Sequence, residues 1–488
     1  MNTIKNGTSV SEYLESIRYN HAALRQFFTA MPKGGDIHNH LTGSAYAETY
    51  FELAAKKEMY VDLETGKLYK EKPTSGKSTI IQLSKDMDDL HNHRMELIDK
   101  WSIRNFQPYK YPLGPDEYFF GTFGLLSALT SDIDNLVYLM HKLQVRALKE
   151  NVQYLEVMAG SPDVPADCFL GKDYETYKNT LEQYVTDGDY TDIQATLNDI
   201  LDLFDKNSGT AADDYLKFIL NIEIESKKIS NHMNCDTTKL KCTYQGYASR
   251  GGEPLKVFAQ LYVVHRTYIY DFTRLLGGCN IVAAEDGERS MLCYRLHMEM
   301  FKALAARFKN QVPTSLHAGE LTIGLVRPEH LTYHIDRAIR IANPKRIGHG
   351  VDLPFEENSE DLLQTMKDKD IPVEINLTSN EFILGVKGKE HPITLYHRAG
   401  VPLIISTDDP GILRTSLTEQ YTLLALRYGF SYQEIKEFVY NSIQYAFLIE
   451  RDHIRQKEIL DERFAAFENN FAPASSAPRE TAQSENGN

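Results

Sequence analysis

Eight short apolar runs, separated by helix-like stretches, constrain this chain more than any other feature. They are GGDIHNHL (34–41), VQYLEVMAG (152–160), LKVFAQLYVVHR (255–266), CNIVAAED (279–286), PTSLHAGE (313–320), RIGHGVDL (346–353), IPVEINLTSN (371–380) and VPLIISTDDP (401–410). Each has the length of a strand, and several are bounded by Pro or Gly. Helical patterns fill most gaps; Leu292, Leu296, Met300, Leu304 and Phe308 form one i, i+4 stripe between the fourth and fifth runs. Strands alternating with helices in this number predict an α/β fold, a (β/α)8 TIM barrel rather than an open sheet. Residues 42–151 and 161–254 are too long for single crossover helices, so long helical insertions, lids among the options, are expected after strands 1 and 2. Ser416…Glu419 and Ser431…Glu434 are capping-box patterns. The expected organisation is an N-terminal helical extension over 1–30, the barrel over 31–471, and a disordered Pro/Ser/Ala-rich tail over 472–488.

Charge and cysteine content narrow the function classes. The net charge of −15 argues against a nucleic-acid backbone or an anionic membrane as the main partner. Five cysteines with no C-x-x-C spacing support neither a disulfide framework nor a cysteine zinc site. The first twenty residues carry no apolar signal-peptide core, and no 18-residue apolar run occurs, so the expected location is cytoplasmic.

The polar residues gather at one end of the predicted strands. His38 and His40 lie near the end of the first run, and side chains two apart on a strand share a face. Taken alone, the pair reads equally well as a solvated strand end or as half of a metal site. His317 and Glu320 end the fifth run, His349 lies near the end of the sixth, and Asp408 and Asp409 end the eighth. In a parallel barrel all strand C-termini open on one face, where catalytic residues sit. Three imidazoles and a carboxylate, His38, His40, His317 and Asp408, suit a divalent metal such as zinc. Such an ion activates water for hydrolysis. Glu320, three residues beyond His317, would be free to carry a proton, and His349 to orient the water. Asp409 would point away from Asp408, towards a substrate. The remaining histidines, including His265, His391 and His397, read as structural.

Together the stretches MPKGGDIHNHLTGS, SLHAGE, RIGHGVDL and STDDP resemble the adenosine deaminase family of the amidohydrolase superfamily. The long N-terminal region and MELIDKWSIRNFQPY are similar to the larger, adenosine deaminase-related growth-factor type. The resemblance implies a zinc enzyme, one Zn2+ per chain, that converts adenosine, and 2′-deoxyadenosine with it, to inosine and ammonia. It implies zinc ligands at His38, His40, His317 and Asp408, with His40 and Asp408 also facing the reacting groups. Glu320 would be the proton shuttle to the purine ring nitrogen, His349 would position the attacking water, and Asp409 would hold the ring. The family's strand-four end resembles DLAGDE, whose glycine contacts the purine; here AAEDGERS offers Gly287, with Ala284 three residues before it. Phe119, Phe120 and Phe123 could cover the base, or could equally form a core helix face. The implied partner is a small purine nucleoside, with no nucleic acid and no membrane; the oligomeric state stays open, a homodimer included. AMP or a modified adenine nucleoside is the alternative substrate. A non-catalytic, growth-factor-like binding protein is the alternative class.

Overall fold

The computed structural model describes residues 9–74, 77–84 and 90–471, the side chains of 90–92 excepted. Residues 1–8 of the expected extension and the whole 472–488 tail lie outside the described residues. The strands in chain order are β1 (Gly35–His40), β2 (Tyr60–Asp62), β3 (Leu68–Tyr69), β4 (Ile80–Gln82), β5 (Tyr154–Gly160) and β6 (Lys241–Ser249). They continue with β7 (Leu276–Val282), β8 (Ser315–Ala318), β9 (Arg346–His349), β10 (Val373–Ile375) and β11 (Leu403–Ile405).

Eight of these strands make two parallel sheets, ordered β1-β5-β6-β7 and β8-β9-β10-β11. Helices cover them, so they are largely buried; β5, YLEVMAG, is buried along nearly its whole length. The sheets meet at both edges through parallel main-chain contacts. Cys279 donates to the Pro313 carbonyl at 3.0 Å. At the other edge Asp408 donates to the His38 carbonyl at 2.9 Å and His40 to that of Asp408 at 3.0 Å. All eight strands therefore run in one direction, and their C-terminal ends lie together.

One expected strand is a helix. Residues 255–266 fall inside the helix Pro254–Tyr270, which is buried on almost every side. Pro254 occupies the first turn and the Glu253 side chain accepts the Leu255 N–H, both start signals for a helix. The third strand is β6, KCTYQGYAS, so the second long connection ends at residue 240 rather than 254. Its polar residues Thr243 and Gln245 point into a buried polar network, which removes the apolar signal. The seventh run is also shorter than expected, because the helix Leu377–Leu384 begins at once after β10.

The 42–151 connection carries the antiparallel sheet β3-β2-β4 and the helices Pro115–Thr130 and Ile133–Lys149, among others. The connection after β5 is helical, including Tyr174–Asp187, Ile193–Asn207 and Ala211–His232. In the stripe expected between β7 and β8, Leu296, Met300 and Leu304 are buried, but Leu292 is exposed, outside the helix Tyr294–Arg307. Ser431 and Glu434 form the full capping box. Ser416 caps its helix, but the Glu419 carboxylate turns away to His21 and Arg25 and ties down the N-terminal helix His21–Ala30. All five cysteines are unpaired. Among the described residues no helix is long and apolar enough to cross a membrane.

Candidate active site

His38, His40, His317 and Asp408 come together at the C-terminal ends of β1, β8 and β11, one ligand atom of each lying within 4.8 Å of all the others. The His40 and His317 Nε2 atoms are 3.2 Å apart. Asp408 Oδ1 lies 3.3 Å from His40 Nε2 and 3.6 Å from His38 Nε2. Glu320, His349 and Asp409 border the same cavity, of about 460 Å³, a size suited to a small molecule.

Hydrogen bonds behind the imidazoles fix which ring nitrogen is bare. His38 Nδ1 lies 2.6 Å from Glu374 Oε2. Burial pushes the Glu374 carboxyl up, but Arg346 and His38 outweigh it and bring it to about 2, so it can only accept. His38 Nδ1 therefore donates, and in the neutral imidazole that a metal ligand must be, Nε2 points its lone pair at the cluster. The Asn280 Oδ1 takes the Ile281 N–H at 2.8 Å and faces His317 Nδ1 at 2.9 Å, so His317 also donates from Nδ1 and leaves Nε2 bare. This is the arrangement that outer hydrogen bonds impose on metal-binding histidines. The His38 Nε2 is buried and has no hydrogen-bond partner, the condition expected of a ligand atom.

His349 is set the other way. The Ile393 N–H donates to His391 Nδ1, so His391 Nε2 donates to Asn380 Oδ1, and Asn380 Nδ2 donates to His349 Nδ1, with links of 3.1, 3.0 and 3.0 Å. The His349 Nε2 then carries the proton, and it too is buried without a partner. Two inward nitrogens are acceptors and this one is a donor. His391, expected to be structural, sets that tautomer.

The carboxyls differ as sharply. Burial, with the charges of Asp408 and Glu285 close by, holds Glu320 well above the usual carboxylate range. Burial and the adjacent Asp408 do the same to Asp409. Glu285 goes the opposite way: burial would raise it, but Arg250 and His334 dominate and bring it to about 2. The site thus offers protonated and ionised carboxyls side by side.

The backbone at the strand ends is unusual. His349 (φ +67°), Asp408 (φ +64°) and Ala283 (φ +85°) take the left-handed conformation without being glycine. Such residues cost about 1–3 kcal/mol each and cluster at functional sites. Gly43 is needed for packing: a Cβ there would lie 1.6 Å from Asp409 Oδ1.

Phe119, Phe120 and Phe123, from the helix Pro115–Thr130, line the cavity, and Phe119 also packs on Val351, Ile383, Leu384, Ile412 and Leu413. Gly287 does not line it. The wall at the end of β7 is Val282–Ala284, while Gly287 starts the helix Glu288–Leu292. The chain turns away after Ala284, and the position with glycine-like geometry is Ala283, not Gly287. Sequence reasoning missed Glu374, Asn280, Asn380 and Glu285. Glu374, alone in the apolar stretch PVEIN, was the one with a visible signal.

Residues 274–464 match a family model described as adenosine deaminase. The adenosine deaminase of Clostridium acetobutylicum is 30% identical over 176 residues, 36% of this chain and 48% of that protein. The N6-methyl-AMP deaminase of Bos taurus is 35% identical over 106 residues, 21% of this chain and 30% of that protein. The matched stretch thus spans about half, or less, of the curated relatives' length. Among solved structures, the Arabidopsis N6-mAMP deaminase superposes with a TM-score of 0.56 at 18% identity, covering 90% of this chain and 99% of that one. An amidohydrolase from Burkhoderia ambifaria, with bound Zn, gives a TM-score of 0.54 at 16% identity, covering 92% of this chain and 94% of that one. These likenesses are of fold: an α/β chain with parallel strands. The likeness to the adenosine deaminase family thus rests on residues 274–464, which hold His317, Glu320, His349, Asp408 and Asp409.

Proposed function

We propose that the chain is a zinc-dependent hydrolase that converts adenosine and 2′-deoxyadenosine to inosine and 2′-deoxyinosine, releasing ammonia. One observation carries the reading: three imidazoles and a carboxylate converge within 4.8 Å beside a buried acid, at the floor of a cavity. In this reading the two parallel sheets, joined at both edges, are one closed (β/α)8 barrel, and residues 42–151 and 161–240 are insertions over its mouth.

His38, His40, His317 and Asp408 would hold one zinc ion; the N3O donor set and the bare Nε2 atoms fit it. When bound, such an ion supplies Lewis acidity that makes water nucleophilic near neutral pH. The chain's own groups do the rest. Glu320, kept protonated by burial, gives its proton to the purine ring nitrogen and so opens C6 to attack. His349 offers its Nε2–H to the oxygen that attacks, 3.5 Å of Nδ1–Oε1 separation keeping the ring beside Glu320. Asp409, also protonated, offers an O–H to another ring nitrogen. Phe119, Phe120 and Phe123 wall the apolar base and exclude water. Water adds at C6 and gives up both its protons, one to the amino group and one to restore Glu320; the C6–N bond breaks, ammonia leaves, and the ring nitrogen keeps the proton Glu320 gave it.

A nucleoside is favoured over a nucleotide because, among the described residues, the cavity wall contains no Lys or Arg to neutralise a phosphate. The second reading, an N6-substituted AMP, draws on the likeness to N6-methyl-AMP deaminases. Adenosine, 2′-deoxyadenosine, AMP and N6-methyl-AMP, each followed by ultraviolet absorbance and amine release, decide between them. We expect adenosine to be turned over at least ~10-fold more efficiently than AMP, and chelation to abolish turnover until zinc is restored. Turnover of none of the four removes the substrate claim; preference for N6-methyl-AMP replaces it with the second reading.

A further inference from the structure

Behind the loop that carries His317 and Glu320 lies a buried set of charges that the proposed chemistry does not touch. Glu285 follows β7 and is 1% exposed. Its Oε1 accepts the Gly319 N–H at 3.1 Å and its Oε2 accepts the Glu320 N–H at 2.8 Å. His334 Nδ1 donates to the same Oε1 at 2.5 Å, and Arg250 Nη1 lies 3.5 Å from it. Arg250 is fully buried just beyond β6, and its Nη2 donates to the His317 carbonyl at 2.5 Å and the Ile281 carbonyl at 3.2 Å.

The shape of the loop suits this grip. Gly319 is left-handed at φ +78°, and a Cβ there would lie 2.3 Å from Asp352 Oδ1. That conformation turns two successive amides towards one carboxylate. On its other side, the Gly319 carbonyl accepts the Val351 and Asp352 N–H groups at 2.8 and 3.1 Å. Arg250 holds the main chain of His317 while its neighbour Glu285 holds the main chain of Glu320. The imidazole and the acid are thereby fixed relative to each other by one buried ion pair.

We propose that Glu285, held by Arg250 and His334, is a positioning residue that sets where Glu320 stands by gripping the Gly319 and Glu320 amides. This rests on the deamination reading, in which Glu320 is the acid. A carboxylate accepts at both oxygens, whereas a glutamine accepts at one and turns an NH2 towards the other partner. Glu285→Gln keeps the size of the side chain and releases one amide of the loop, in the geometry above that of Glu320. A misplacement of about 1 Å at such a group can cost ~10²-fold in rate.

The test combines kinetics with hydrogen exchange on the zinc-loaded full chain. In Glu285→Gln we expect kcat to fall about tenfold or more, with KM within about twofold and one zinc per chain retained. Exchange in the segment 316–322 should rise about tenfold or more, while distant helices stay protected. In a Glu320→Gln background the same change should add no further loss, because its effect passes through Glu320. A merely structural role would lower both backgrounds equally and would not confine faster exchange to this loop; either result overturns the proposal. If the parent chain turns over no adenine nucleoside, the deamination reading fails, and the exchange measurement still decides whether Glu285 grips the loop. Should Glu285→Gln not fold, His334→Gln provides the second variant. It should raise exchange in the same segment, and unchanged exchange there overturns the grip.

Discussion

Arg346 and His349 stand at opposite ends of β9, and the surroundings of the two differ. Around Arg346, donors and acceptors are matched. Its guanidinium bonds Glu156, Glu374 and the Tyr445 carbonyl. Glu374 also takes the Ser315 hydroxyl, and Glu156 takes Gln245, Tyr154 and the Phe447 N–H. Around His349, buried atoms stand open: its own Nε2, His38 Nε2, Glu320 Oε1 and Asp409 Oδ1. An unpaired buried polar group costs about 1–3 kcal/mol, so proteins keep few of them without a reason. The starting end of the strands is built for stability. The finishing end holds its groups ready for a ligand. Substitutions at the two ends should therefore fail in different ways.

The largest effect belongs to the finishing end. Glu320→Gln removes the proton but keeps the shape, so the activity should fall by ~10³-fold or more. The melting temperature and zinc content should stay close to those of the parent, since Glu320 Oε1 has no partner to lose. Loss of zinc together with activity would instead make Glu320 a ligand and blur the comparison.

Arg346→Met tests the starting end. It leaves the Glu156 and Glu374 carboxylates buried without their cation. Breaking a buried pair from one side should cost about 3 kcal/mol. In a chain of this size that lowers the melting temperature by roughly 3 °C. A variant of unchanged stability that had lost its activity would show that the Arg346 network serves the site rather than the fold. Glu374 makes that outcome conceivable, because its other oxygen orients His38.

The two ends were not equally legible in the sequence. At the finishing end the strands stop in HNH, HAGE, GHG and TDDP, and their order along the chain suffices to suggest a shared site. The groups that orient these residues were harder to see. Asn280 lies inside β7 as a lone polar residue, Glu285 follows the strand and looks like an ordinary boundary residue, and Asn380 sits in a helix that follows β10 almost at once. The starting end hid itself better. Its interior is lined by Glu156, Gln245 and Arg346, so β6 lacks the apolar run that announces a buried strand. The buried helix Pro254–Tyr270 has that run instead, and periodicity alone cannot tell such a helix from a strand. Gly287 is the only glycine that AAEDGERS offers as counterpart to the purine-contacting glycine of DLAGDE; in the structure the left-handed position at this strand end is Ala283.

The smallest effect, taken per pH unit, is a pH dependence of stability, again at the starting end. Lys33 precedes β1 and is fully buried, with its Nζ donating to the Met31 carbonyl at 3.1 Å and to the Glu150 carbonyl at 2.5 Å. Burial outweighs the nearby Glu150 carboxylate and lowers the ammonium to about 7. An unfolded chain keeps this lysine protonated to about pH 10.4. Between these values the unfolded state binds more protons than the folded state, so stability should rise with pH, by at most about 1.4 kcal/mol per unit. The gain is fully present above the unfolded value and fades as pH falls towards 7. Denaturant titrations between pH 7 and 9.5 measure the slope, and Lys33→Met should flatten it. Activity measured over the same range should not follow that slope, because Lys33 lies at the far end of β1 from His38 and His40. If activity does follow it, in parent and not in Lys33→Met, the two ends are coupled through β1 and the division between them is weaker than their hydrogen bonding implies.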